Sequence, residues 1–454
     1  MHMSKMNNKT EIFENYSIPR AVATLALPTM LSMIVVVIYN MVDTFFVAKI
    51  GDPNQIAAVS LAHPAFMLFM AAGNIFGIGG SSYLSRSLGE KKIDRVKHIS
   101  SFCVWTAIVI GILMGIIYLI FLNPILKLCG ASEATLPYAQ TYLSIVAWGA
   151  PATVLSFVFG NICRAEGAAK ESMFGQMLGS VINIILDPIF ILWFGWGVAG
   201  AAIATVIANI LSDVYYIVYI IHSHRSQLTL NPKKYAINDG IIGNVLAIGL
   251  PASFTNLLMS ASQMVSNNYL ASYGDIPVAA MGIAGKAGMF VILGMIGLAG
   301  GVVSLIGYNY GAKNFDRMRA VTRFAMFCNI CIGTAFGLVF FVAAKFIIGI
   351  FINDPEVIAH GVPMLRAMML SAPFVGCLFV INNCFQAWGK ASPALILSVC
   401  RQGLVFLPVL LAANAMFGLN GIIYAQPIAD VVSVVMAFIM YIVLRNKVIA
   451  ANSL

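Results

Sequence analysis

Charge is scarce in this chain: Asp, Glu, Lys and Arg supply 9% of its 454 residues, where a soluble domain carries about a quarter. That deficit excludes a water-soluble globular fold. Motifs for covalent chemistry are missing as well. There is no HExxH, and Gly285 with Lys286 does not complete a phosphate loop, because the earlier glycine spacing is absent and Ala287 follows. Neither an ATPase nor a metal-dependent enzyme is expected, and no cofactor. The eight cysteines sit almost entirely inside apolar runs, where a thiol behaves as a small hydrophobe. Cys328 and Cys331 have CxxC spacing without a second ligand pair, so no disulfide framework and no structural metal site is expected. The first eighteen residues lack the apolar core of a cleavable signal, so the first hydrophobic segment is expected to stay in the mature protein.

What the chain has in abundance is apolar length: 60% of its residues are hydrophobic. A membrane-spanning helix needs roughly 20 such residues in a row. Twelve runs satisfy this, at about 20–48, 56–84, 98–122, 137–162, 172–196, 198–221, 241–271, 278–308, 321–346, 361–385, 393–417 and 419–444. A net charge of +9 suggests nucleic acid in a soluble chain, but here the basic residues follow the connections. One set of loops and both ends hold Lys5, Lys9, Lys91, Lys92, Arg95, Lys97, Arg225, Lys233, Lys234, Lys313, Arg317 and Arg445, whereas the other set holds Lys49, Lys127 and Lys345. Positive loops stay inside, so the expectation is a multi-pass protein of the bacterial cytoplasmic membrane with both termini cytoplasmic and no nucleic-acid partner. His222 and His224 fall at an inner helix end and read as a solvated border.

The chain also repeats itself about 222 residues on. Leu27 and Pro28 match Leu250 and Pro251, Gly51 and Asp52 match Gly274 and Asp275, and Ala150 and Pro151 match Ala372 and Pro373. SLGEKKIDRVK from Ser87 answers NYGAKNFDRMR from Asn309, and Gly197 with Gly200 answers Gly418 with Gly421. Six spans per repeat return the chain to the side it started on, so the repeat is parallel. The expected organisation is a cytoplasmic segment 1–19, an N-lobe 20–222, a polar linker 223–240, a C-lobe 241–444 and a tail 445–454. An all-α polytopic membrane protein with two six-helix lobes fits alternating access around a central cavity.

Acids inside apolar helices are costly and point to function. In the fifth span Asn183 and Asp187 lie four apart on one helical face, and Pro188 removes the backbone bond to the carbonyl of Ile184. At ~1.5 Å per residue, Asp187 sits roughly 12 Å from the outer end of its span, Thr205 roughly 10 Å into the sixth, and Asp43 roughly 9 Å from the outer end of the first. These oxygens share one level. Hard cations favour such ligands, and a proton can take the cation's place because two close carboxylates cannot both stay ionised. The second repeat places Ser266, Gly403, Leu407 and Gln426 where the first has Asp43, Asn183, Asp187 and Thr205, so coupling is expected to be asymmetric. It carries instead Lys286, roughly 12 Å into the eighth span, and Asp430, roughly 16 Å into the twelfth, which are expected to pair. Asp213 and Arg401 read as packing or snorkelling charges. Gly77, Gly79 and Gly80 read as close helix contacts. Met259, Met264, Met289 and Met295 read as the lining of an adaptable cavity.

YNMVDTFFVAKIG from Tyr39, RAEGAAK from Arg164, NIILDPIFI from Asn183 and GVAGAAIAT from Gly197, together with the twelve-span repeat, resemble the multidrug and toxin extrusion (MATE) family over essentially the whole chain. NIFGIGGSSYLSRSLGEKK looks like its MepA-type bacterial branch. The resemblance implies a secondary antiporter that exports cationic, amphipathic compounds in exchange for H+ or Na+, and a monomer in the lipid bilayer is expected.

 Its cation-site residues map onto Asp43, Asn183, Asp187 and Thr205, and its nearby tyrosines onto Tyr39 and Tyr142. The alternative from another functional class is a lipid-linked precursor flippase of related architecture, which calls for a basic cavity lining and extra helices.

Overall fold

The computed structural model describes residues 10–223, 226–238 and 240–450, so Lys5, Lys9, His224, Arg225 and the ends of the chain lie outside the described residues. Among the described residues every regular element is helical. A short α1 (Thr10–Glu14) precedes α2 (Ile18–Ala48), α3 (Pro53–Gly89), α4 (Ile93–Ile120), α5 (Leu122–Leu128), α6 (Leu136–Trp148), α7 (Ala150–Ala165), α8 (Ala169–Asp187) and α9 (Gly197–His222). The second half runs α10 (Ile241–Ala271), α11 (Asp275–Gly311), α12 (Phe315–Val342), α13 (Ala344–Phe351), α14 (Pro355–Ala387), α15 (Ala391–Val399), α16 (Phe406–Phe417) and α17 (Leu419–Ala450). Among the described residues eleven helices are long and apolar enough to cross a membrane, and α6 with α7, bent by 55°, makes a twelfth if the pair is counted as one span.

That bend departs from the single run expected over 137–162. Pro151 cannot donate to the carbonyl of Ala147, and Gly149 ahead of it offers no side chain to stiffen the turn. In the second repeat, Pro373 follows Ser371 and Ala372, and α14 continues unbroken. The repeat is otherwise visible in the backbone itself. Lys91 (φ 59°) and Lys313 (φ 56°) are the two non-glycine residues with positive φ among those described. Each closes a helix in the same way: Lys92 N donates to Ser87 O at 3.0 Å, and Asn314 N donates to Asn309 O at 2.9 Å, a bonding pattern that satisfies carbonyls left over at a helix end.

Close packing in the first half depends on the small residues of α3. A methyl group on Gly79 would collide with the carbonyl of Val245, and one on Gly80 with Sγ of Cys103, which bears out the reading of this run as helix contact. The outward face of α4 shows the opposite chemistry. Val109, Ile112, Ile116 and Ile120 recur at helical spacing and are about half exposed, a stripe that water would penalise and lipid tolerates.

By packing, the chain forms two compact units, residues 1–15 with 31–253 and residues 16–30 with 254–454. The first halves of α2 and α10 are thus exchanged between the repeats, and each crossing comes just after a proline inside the helix, Pro28 or Pro251. Within the first unit, the linker is tied down rather than free. Glu166, 3% exposed at the end of α7, accepts from Tyr219 Oη at 2.6 Å, from Ser226 Oγ at 3.0 Å and from Gln227 N at 2.9 Å. Ser101 Oγ and Trp105 Nε1 on α4 donate to the carbonyls of Asn231 and Leu230.

Candidate functional site

The first unit brings the expected site residues together. Asp187 ends the α-helical part of its span, and the six residues Pro188–Trp193 continue as a π-helix. The cause is local: proline has no N–H to give the carbonyl of Ile184, so the winding loosens, and Phe194 N donates five residues back to Ile189 O at 2.8 Å. Such widened turns are frequent at functional sites. They leave a helix that can re-form in more than one way.

Asp187 is 0% exposed and Asn183 1%. With its amide nitrogen facing the carboxylate, Asn183 donates to Asp187 Oδ2 at 2.8 Å and accepts from Thr205 N at 3.2 Å, an orientation assigned from the surrounding network. Thr205 Oγ1 lies 3.3 Å from the Asn183 side chain and donates to Ala201 O at 3.0 Å. Asp43, half-buried on α2, brings its carboxyl group within hydrogen-bonding reach of Asp187. One turn earlier, Tyr39 reaches the Thr205 hydroxyl, and Tyr142 on α6 faces both acids. Tyr39, Asp43, Asn183, Asp187 and Thr205 are thus linked, and Tyr142 lies near enough to interact electrostatically with the two acids. A carboxyl–carboxyl hydrogen bond needs one proton, and the same cluster of carboxyl, amide, hydroxyl and phenol oxygens is a donor set suited to a hard cation. Among the described residues no three His, Cys, Asp or Glu side chains gather as a metal site.

The second unit corrects one expectation. Lys286 is exposed on α11 and makes no ion pair with Asp430. Asp430 pairs instead with Arg401, whose Nε lies 2.8 Å from Oδ1, and it accepts from Gln426 Nε2 at 2.8 Å and from Ser371 Oγ at 3.1 Å. Arg401 is therefore not a snorkelling charge. It lies in a second π-helical stretch, Cys400–Leu404, with its guanidinium 5.3 Å from the Phe379 ring centroid. The spacing of Gln426 and Asp430, four apart, was a readable sign of one polar face; the identity of the cation was not. Because removing one partner strands a buried charge, Arg401→Gln or Asp430→Asn alone is expected to cost about 3–5 kcal/mol. The double substitution should cost less than the sum, measured as a thermal-melt cycle in detergent, and additive losses would mean that the pair contributes nothing.

The methionine expectation is not met by one cavity: Met259 and Met264 lie with Ser260, Gln263, Asn267 and Asn268 on one open face of α10, Met295 is fully buried in the core of the second unit, and Met289 is exposed. Asp213, expected to be a packing or snorkelling charge, is 5% exposed and accepts from Ser156 Oγ at 2.6 Å, so it is packed and does not snorkel.

Comparison with known proteins agrees with this architecture. The MatE family model matches residues 28–189 and again 251–411, two copies at the separation of the internal repeat. The multidrug export protein MepA of Staphylococcus haemolyticus is 34% identical over 435 residues, 96% of each chain. That of Staphylococcus saprophyticus is 32% identical over the same share of both chains. Among solved structures, the outward-facing conformation of a multidrug resistance MATE family transporter of the MOP superfamily superposes with a TM-score of 0.93 at 23% identity, covering 97% of this chain and 98% of that one. A chain that carries the family pattern twice, folds as its members do and matches curated relatives end to end belongs to the MatE family.

Proposed function

We propose that this protein is a secondary active exporter, not an enzyme, that moves cationic, amphipathic small molecules out of a bacterial cell in exchange for H+ or Na+. The observation that carries the reading is a fully buried Asp187, bonded to Asn183 and facing Asp43, inside a chain of membrane-spanning helices. A buried acid in that setting is costly, and a coupling cation that comes and goes gives it a use. Asp43, Asn183, Asp187 and Thr205 hold the cation, with Tyr39 and Tyr142 beside them.

The two repeats, residues 20–222 and 241–444, act as the lobes of an alternating-access cycle. The prolines at the two crossings, Pro28 and Pro251, supply places where α2 and α10 can bend. The relatives named above are multidrug export proteins, which favours drug efflux over the flippase alternative. The protein sits in the cytoplasmic membrane as a monomer with both termini inside, as its loop charges suggest, and needs no cofactor beyond the coupling ion.

The test is efflux of a fluorescent cationic dye from proteoliposomes, with a pH gradient and a Na+ gradient imposed separately. Uphill dye movement driven by at least one gradient is expected. Dye that runs only down its own gradient under both conditions would overturn the exchange model.

A further inference from the structure

Two buried acids of the first unit lie outside the coupling site: Glu166, which ties down the linker, and Asp213. Asp213 lies on α9, and Thr205, Asn209 and Asp213 follow at intervals of four, so they share one helical face over roughly 12 Å. Each is engaged across a helix boundary. Thr205 meets Asn183 of α8, Asn209 Nδ2 donates to Thr153 Oγ1 of α7 at 3.0 Å, and Ser156 Oγ of α7 donates to Asp213 Oδ1 at 2.6 Å. Below them Ser212 Oγ and Tyr216 Oη donate to the carbonyls of Gly175 and Ser172 on α8. The polar rungs begin at the carboxyl pair and run toward the His222 end of α9. Among the described residues no ion pair engages Asp213: Arg164 of α7 interacts with Tyr216, and Glu171 of α8 with Tyr215 and Tyr219.

We propose that Asp213 is a second proton-holding group of the exchange, receiving the proton that leaves the Asp43–Asp187 pair and passing it toward the inner end of α9. The proposal rests on the exchange reading given above. The step is a plain transfer: protonated Asp187 with ionised Asp213 becomes ionised Asp187 with protonated Asp213, and no electrons move. Thr205, Thr153 and Ser156 are hydroxyls able to accept and donate in turn. Rungs about 6 Å apart can be bridged by single waters held between polar partners. Lining the route with hydroxyls and an amide rather than further charges lets a proton through while keeping the helices packed.

The experiment compares the parent protein with Asp213→Asn, Asp213→Glu, Ser156→Ala and Asp187→Asn in proteoliposomes. Read-outs are pH-gradient-driven dye efflux, dye counterflow without a gradient, and the carboxylic-acid carbonyl band in infrared difference spectra. Asp213→Asn should slow driven efflux by about tenfold or more with counterflow unchanged, lose one protonation band, and be restored by Asp213→Glu. Parent-like driven efflux and an unchanged infrared band in Asp213→Asn, alongside an inactive Asp187→Asn, would overturn the route and leave the exchange reading standing. So would a parent protein that responds to Na+ alone. Parent-like efflux in both Asn variants would remove the exchange reading and this proposal together. If Asp213→Asn does not fold, Ser156→Ala decides: a displaced pH profile for driven efflux supports the route, and a parent profile overturns it.

Discussion

Asp187→Asn is expected to remove gradient-driven efflux, by about 10²-fold or more, while the protein still folds and reaches the membrane. The amide has nearly the shape of the carboxyl group, so the packing of α8 against α9 should survive the change. What it loses is the ability to take up and release a cation at a fully buried position. Asn183, which donates to Asp187 Oδ2, can still donate to an amide oxygen, so the network persists without its charge. The measurement is dye efflux under an imposed gradient beside gradient-free counterflow in the same vesicles. Loss of the first with retention of the second is the expected pattern, and full driven efflux by the variant would mean that Asp187 is structural.

Drug affinity should fall as pH drops or Na+ rises, and Asp43→Asn should flatten that dependence. With both acids ionised, Asp43 and Asp187 repel each other across a hydrogen-bonding distance; a proton or Na+ between them removes the repulsion. Asp187 adjoins the π-helical stretch from Pro188 to Trp193, so its occupancy acts on a piece of helix whose winding is already loosened. A change there would alter the wall that α8 and α2 present to substrate, and cation and drug would oppose each other through that one element without touching the same atoms. The sign follows from reciprocity: if bound cation weakens drug binding, bound drug weakens cation binding by the same factor, typically about 5- to 150-fold. Lowering pH raises proton occupancy and so lowers drug affinity. Drug binding titrated across about pH 5 to 8, with and without Na+, measures the effect in the parent and in Asp43→Asn. Affinity indifferent to both ions would show that the acids do not couple to the substrate.

Much of this protein was determined by sequence alone, and the reason is the solvent. A bilayer admits only segments that satisfy their own backbone, so run length fixes the spans, loop charge suggests the orientation, and each polar residue left in an apolar run stands out. Depth along a helix is also legible, since each residue advances the chain by ~1.5 Å; that is why Asp43, Asp187 and Thr205 could be placed at one level and are found together. Which helix lies beside which, and which way each face points, are set by packing between distant segments. By depth Lys286 was the expected partner of Asp430, and only the contact of the Cys400–Leu404 stretch with α17 selects Arg401. The ladder from Thr205 to Asp213 shows the same division: its spacing was written in the sequence, but its partners Thr153 and Ser156 come from α7. The break at Gly149, the π-helical turn after Asp187 and the exchange of the first halves of α2 and α10 between the compact units belong to tertiary structure for the same reason. A proline loosens a helix locally, but where the loosened helix then goes is decided by the neighbours it packs against.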